Sequence, residues 1–66
     1  MEIKYPEIEL ELTGQNGNAF AILGAARRVM RRHGLDEDEI ETYTEEAKSG
    51  DYDHLIQTTM RYVNVV

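Results

Sequence analysis

In GNAFAILGAARRVMRRHG, Gly17–Gly34, the apolar residues repeat with the period of an α-helix. At about 100° per residue they fall on one broad face. Asn16 or Asn18 can cap this helix at its start, and Gly34 can end it in the C′ position. We therefore predict one amphipathic helix with a buried face formed by Ala19, Ile22, Leu23, Ala26, Val29, Met30 and His33.

The opposite face of this helix is basic. Four of the seven basic residues of the chain lie within six positions there: Arg27, Arg28, Arg31 and Arg32. Phe20 and Gly24 lie in line with Arg27, and Gly24 lowers helix propensity by about 1 kcal/mol relative to alanine. Two interpretations remain open. Guanidinium groups can bind phosphate with two parallel hydrogen bonds, or they can complement the helix dipole and pair with the acidic segment that follows.

A second helix is predicted from LDEDEI, Leu35–Ile40. Asp36 is a natural N-cap with Glu39 as the matching acid three residues later, and Leu35 and Ile40 form a hydrophobic staple around it. We predict that the helix ends at Gly50. Its thin apolar stripe consists of Ile40, Tyr43 and Ala47.

A third helix is predicted to begin near Asp51, which is another natural N-cap. Its apolar residues at helical spacing are Tyr52, Leu55, Ile56, Thr59, Met60 and Val63.

Two short strands are predicted to flank the helices. In Glu7–Leu12, EIELEL, apolar and acidic residues alternate, which is the period of a half-buried strand, and Pro6 marks its start or an edge. The β-prone segment Tyr62–Val66 can pair with it. We therefore predict a single α+β domain over residues 1–66, in the order β-α-α-α-β, with three helices on a two-stranded antiparallel sheet. The glutamates of the first strand either discourage edge-to-edge association or meet the arginines of a neighbouring subunit.

The length, composition and net charge of the chain narrow the class of protein. A chain of 66 residues without cysteine has a core that supplies no more than about 3–5 kcal/mol of stability, so we expect a homo-oligomer. The net charge of −6 argues against direct binding to DNA. No apolar run approaches the ~20 residues of a membrane span, and the N-terminal residues lack the pattern of a signal peptide. We expect a soluble intracellular protein that does not contact membranes.

No group of residues indicates catalysis, so we expect a non-enzymatic protein without metal or cofactor. The tightest cluster is Asp51, Asp53 and His54, in which Asp51 and His54 could form a metal or acid–base pair. The same acids also suit a helix N-terminus. A helix-turn-helix DNA-binding module is disfavoured because the second helix is acidic rather than basic.

Two segments of the chain carry a resemblance to known proteins. Gly17–Phe20 (GNAF) and Ser49–Leu55 (SGDYDHL) resemble segments in a group of small uncharacterised proteins from bacteriophages, prophages and bacteria. The resemblance extends over most of the chain. It implies a phage-type protein in the cytoplasm of a bacterial host, a setting in which small proteins often inhibit a defence protein or sequester a nucleotide signal.

We therefore expect an anti-defence protein that sequesters a phosphate-bearing nucleotide. The arginines would hold phosphate, the aromatic ring would pack on the base, and the asparagines would add hydrogen bonds. The predicted ligand-binding residues are Phe20, Arg27, Arg28, Arg31, Asn16 and Asn18.

The alternative is an acidic interaction protein that binds and inhibits a basic host protein in place of nucleic acid. Seven acids lie between Asp36 and Glu46. The predicted partner-binding residues are Glu37, Glu41 and Glu45. A structural role in a larger assembly is a further alternative.

Overall fold

The computed structural model describes residues 2–12 and 18–66. The predicted order of elements is confirmed: β1 Tyr5–Leu10, α1 Ala19–Arg32, α2 Glu37–Ala47, α3 Tyr52–Tyr62 and β2 Val63–Val65. The predictions for Asn16 and for the rest of the loop before Asn18 lie outside the described residues. Within those ranges, no helix is long and apolar enough to cross a membrane.

The two strands are parallel, so the predicted antiparallel sheet is wrong. β1 pairs directly with β2, with Tyr5 opposite Val63 and Leu10 opposite Val65. Parallel strands require a crossover connection of a dozen or more residues, and the three helices between β1 and β2 supply it. The pairing is irregular between Tyr5 and Glu9. Pro6 lies in this interval, where a residue without a backbone N–H is tolerated.

Each helix begins at the residue that its capping signal predicts. The side chain of Asn18 accepts a hydrogen bond from the backbone N–H of Phe20 at 2.8 Å. Asp36 accepts from the N–H of Asp38 at 2.8 Å, and Asp51 accepts from the N–H of His54 at 2.9 Å. These bonds satisfy donors that the first turn of a helix otherwise leaves unpaired.

The end of α1 has the geometry of a Schellman motif. Gly34 has a φ of +85°, and its N–H donates to the carbonyl oxygen of Arg31. The N–H of Leu35 donates to the carbonyl oxygen of Met30. Glycine adopts this left-handed conformation without steric penalty, so the predicted stop at Gly34 is confirmed. His33 precedes this turn and is exposed, so the burial expected for it within the chain is not observed.

The core lies between one face of the sheet and the three helices. It contains four of the seven predicted positions of α1 and all three of α2, together with Ala25 and with Leu55, Thr58 and Thr59 of α3. The predicted positions Ala19 and Val29 are partly buried and pack against it. Tyr52 and Met60, which were predicted to be apolar positions of α3, are about half exposed. The largest side chains without solvent contact are Ile8, Met30, Ile40, Tyr43, Thr58, Thr59 and Val63.

One buried hydrogen bond joins α2 to α3. The hydroxyl groups of Tyr43 and Thr59 are 2.7 Å apart, and both side chains are fully buried. Thr59 donates its only hydroxyl proton to the carbonyl oxygen of Leu55, so Tyr43 must donate to Thr59. Burial raises the pKa of Tyr43, which keeps this donor protonated.

Glu39 anchors β1 to the start of α2. Its carboxylate accepts a hydrogen bond from the hydroxyl of Tyr5 and lies 2.6 Å from Nζ of Lys4. This is a different use from the capping box that the sequence predicts, in which Glu39 would turn back to the N–H of Asp36. The ammonium of Lys4 also lies 5.3 Å from the ring centroid of Tyr62, so one side chain links the first strand to the end of α3.

Candidate functional site

The arginines of α1 face the acidic side of α2. Arg31 and Glu37 form two hydrogen bonds, Nε to Oε2 at 2.9 Å and Nη2 to Oε1 at 3.2 Å. The hydrogen bond from Arg31 holds the pKa of Glu37 below its usual value. Arg27 is half-buried and lies 3.6 Å from Glu41, measured from Nη2 to Oε2. The two helices therefore share a line of ion pairs.

These ion pairs join the two surfaces that the sequence suggests as alternatives. Arg27 and Arg31 belong to the predicted phosphate site, whereas Glu37 and Glu41 belong to the predicted partner-binding face. A phosphate that binds Arg31 through Nε and Nη2 must displace the carboxylate of Glu37. Both side chains of this pair are about half exposed, so water and salt screen the interaction and it stabilises the fold only weakly.

Two arginines remain open to solvent. Arg28 and Arg32 are exposed, and neither forms an ion pair with any described residue. They lie four positions apart on α1 and are therefore neighbours on the helix surface. Arg27 differs from them because its Nε is buried without a hydrogen-bond partner in the described part of the chain.

Phe20 borders a groove whose described lining includes no arginine. Its side chain is 78% exposed and lines this groove with Tyr52, at the N-terminal ends of α1 and α3. Gly24 lies between Phe20 and Arg27 along the helix, and a Cβ placed there would meet no atom outside its own helix within 4 Å. The described chain therefore does not make the close approach that was expected at Gly24.

An acidic groove runs along α2. It has a volume of about 530 Å³ and is bordered by Tyr62 at the end of α3. Glu45 is exposed and pairs with no described cation. No basic side chain is among the described residues that line it, which are Glu41, Thr42, Glu45, Glu46, Ser49 and Tyr62. The charge pattern singled out Glu41 and Glu45, whereas no sequence signal identified Thr42, Ser49 or Tyr62 as their neighbours.

His54 contacts Glu46 rather than forming a reactive pair with Asp51. Its Nε2 lies 2.9 Å from the carbonyl oxygen of Glu46 and 3.1 Å from Oε2 of the same residue. Both of these atoms are acceptors, so Nε2 carries a proton and donates. The carboxylate of Asp51 is occupied by the backbone N–H of His54. Within residues 2–12 and 18–66, no three histidine, aspartate or glutamate side chains are grouped to hold a metal ion.

Comparison of the chain with protein-family models, with curated proteins and with solved structures finds no match. The resemblance to phage and bacterial proteins therefore stays a prediction from the sequence.

Proposed function

We propose that this protein is a non-enzymatic interaction protein that binds a basic surface of another protein through the acidic groove of α2. The observation that carries the proposal is the lining of that groove, which combines three glutamates with hydroxyl groups and one aromatic ring and includes no basic side chain among its described residues. The partner is a protein with arginine or lysine side chains on its binding face, such as a protein that binds nucleic acid.

The paired charges favour this use of the acidic groove over an arginine site. Arg27 and Arg31 are already engaged by α2, so an external anion competes with carboxylates of the same chain. Among the described residues, no cation competes for Glu45 in this way. An arginine of a partner can direct the N–H groups of its guanidinium toward Glu45 while the flat face of the same group stacks on Tyr62. The net charge of −6 also steers a basic partner toward the protein.

We also propose that the protein is located in the cytoplasm of a bacterial host. A chain without cysteine forms no disulfides, so its folding does not depend on an oxidising compartment. In this setting the protein acts against a bacterial defence, and it does so by inhibiting a basic host protein. The support for that setting is the resemblance of the GNAF and SGDYDHL segments.

Calorimetric titration with an arginine-rich peptide tests the acidic groove. We expect the Glu45→Lys variant to bind the peptide at least about tenfold more weakly, the size of effect produced by about 1.4 kcal/mol. The matched control is Glu9→Lys, which makes the same change of charge at an exposed position of β1, away from the groove. Equal losses in the two variants would mean that only net charge matters, and the groove would then be rejected as the site.

A nucleotide site is the second candidate, and the exposure of Arg28 and Arg32 favours it. These two guanidinium groups are free to bind phosphate without breaking an ion pair within the described chain. Titration with ATP and with a cyclic dinucleotide tests this site. The variant Arg28→Glu with Arg32→Glu should abolish binding if the arginines hold the ligand.

The choice of variants matters because of the shared ion pairs. Reversing the charge of Arg31 also frees Glu37, and reversing the charge of Glu41 also frees Arg27. Such variants alter both candidate surfaces at once. Glu45, on one side, and Arg28 with Arg32, on the other, belong to no common ion pair, so their variants separate the two functions.

A further inference from the structure

A second groove, distinct from the acidic one, lies where the start of α1 meets the end of α2 and the start of α3. Its walls are apolar and include Phe20, Leu23, Tyr52 and Leu55. It shares no lining residue with the acidic groove. The inference drawn from it is independent of the proposed function.

The groove exposes two aromatic rings beside a space that can accept a third. Phe20 is 78% exposed and Tyr52 is 46% exposed. The space has a volume of about 290 Å³, and a cavity of roughly 150 Å³ already accommodates benzene. A phenyl ring therefore fits against Tyr52. Exposed aromatic side chains beside an apolar depression are typical of protein interfaces.

The rim of the groove carries one charge of each sign. They are Lys48, at the end of α2, and Asp51, at the start of α3. In a contact about a two-fold axis, both copies use the same surface. A residue of one copy contacts a different residue of the other copy, and the reverse contact also forms, so the surface must be complementary to itself. The combination of a protruding ring, a depression that accepts a ring, a cation and an anion meets this requirement.

We propose that two copies of this chain associate about a two-fold axis at this groove. Phe20 of each copy enters the groove of the other and packs beside the partner's Tyr52. At the rim, Lys48 of each copy pairs with the partner's Asp51. This arrangement buries the most exposed large apolar side chain among the described residues and enlarges a core that is small for a protein of 66 residues.

Sedimentation velocity over about 1 µM to about 1 mM tests the association, since this range covers weak and moderate dimers. We expect a dimer of the unmodified chain, and we expect Phe20→Ser to weaken association by at least about tenfold, a change of about 1.4 kcal/mol. Met60→Ser is the matched control, because Met60 is an exposed apolar residue, 52% accessible, that lines a different groove. Far-UV circular dichroism confirms that both variants are folded.

The charges at the rim give a second test. Lys48→Glu places two carboxylates together in the proposed dimer and should weaken association. Adding Asp51→Asn should restore much of it, because asparagine removes the repelling charge and still caps α3. A monomer throughout the concentration range would overturn the proposal. Loss of association in Met60→Ser but not in Phe20→Ser, or no rescue by Asp51→Asn, would also overturn it.

Discussion

The ring of His54 lies over Gly50. A Cβ added to Gly50 would stand 2.8 Å from both Cβ and Cγ of His54. This contact holds the end of α2 against the start of α3, because the same imidazole donates to the carbonyl oxygen of Glu46. Gly50 does not have a positive φ, so it is the close packing of the ring, rather than backbone conformation, that requires glycine.

We therefore expect Gly50→Ala to lower the free energy of unfolding by about 1–3 kcal/mol, the usual range for overpacking. The crowded atoms are at the base of the imidazole side chain, so a small rotation of the ring does not relieve the contact. Urea denaturation followed by circular dichroism measures the change. An unchanged midpoint would show that the α2–α3 turn can move apart without cost.

Gly24→Ala should have the opposite effect. Its Cβ would enter open space on the exposed face of α1, and alanine is favoured over glycine in a helix by about 1 kcal/mol. We expect the same denaturation experiment to show a gain of about that size. A loss of stability, or a loss of peptide or nucleotide binding with stability raised, would instead show that Gly24 is kept small for a contact outside the single chain.

Tyr43→Phe tests the buried hydrogen bond between α2 and α3. The substitution removes the donor to Thr59 and leaves the ring packing in place, including the edge-to-face contact with Tyr62 at 5.2 Å between centroids. We expect a loss of about 1 kcal/mol, as for one hydrogen bond. Thr59→Val should cost less in the Tyr43→Phe background than in the unmodified chain, because only its bond to the carbonyl oxygen of Leu55 is then left to lose. Additive losses from the two substitutions would contradict the assigned pairing.

Acid should weaken the attachment of β1 to α2. Hydrogen bonds from Lys4 and then from Tyr5 hold the pKa of Glu39 below its ordinary value. A group whose pKa is lower in the folded state stabilises the fold above its unfolded pKa, about 4.3 for glutamate, and loses this effect as the pH falls through the folded pKa. The stability difference between the unmodified chain and Glu39→Gln should therefore be present at pH 7 and shrink below about pH 4.

Denaturation of both chains across this pH range measures that difference. If the difference in free energy of unfolding were the same at every pH, the contacts of Glu39 would not depend on its charge. The carboxylate is partly exposed, so added salt should reduce the effect of Lys4 on it.

The elements of the fold were predictable because their signals are local. Asn18, Asp36 and Asp51 cap helices by bonding to residues two or three positions away, and Gly34 ends α1 through its own φ. Strand direction was not predictable in this way. It depends on how α1, α2 and α3 pack between the strands, and no short segment of the sequence encodes that packing.

The candidate surfaces were predictable only in part. The pattern of charges identified Glu41, Glu45 and the arginines, because unlike charges in adjacent helices tend to face each other. It could not show that Arg31 is held by Glu37, or that Phe20 borders a groove with Tyr52 whose described lining includes no arginine. Those relationships join residues of different helices and follow from helix orientation.

The parallel pairing of β1 with β2 has a consequence for the order of folding. The sheet joins the first element to the last, so it closes a loop that contains all three helices, and such long-range contacts form slowly. The helices need only local contacts and form within about a microsecond. Because this pairing is the slow step, we expect substitutions in β2, such as Val65→Ala, to slow folding more than they accelerate unfolding, as measured by stopped-flow refolding and unfolding. In this chain the three-residue strand sets how fast the native state forms.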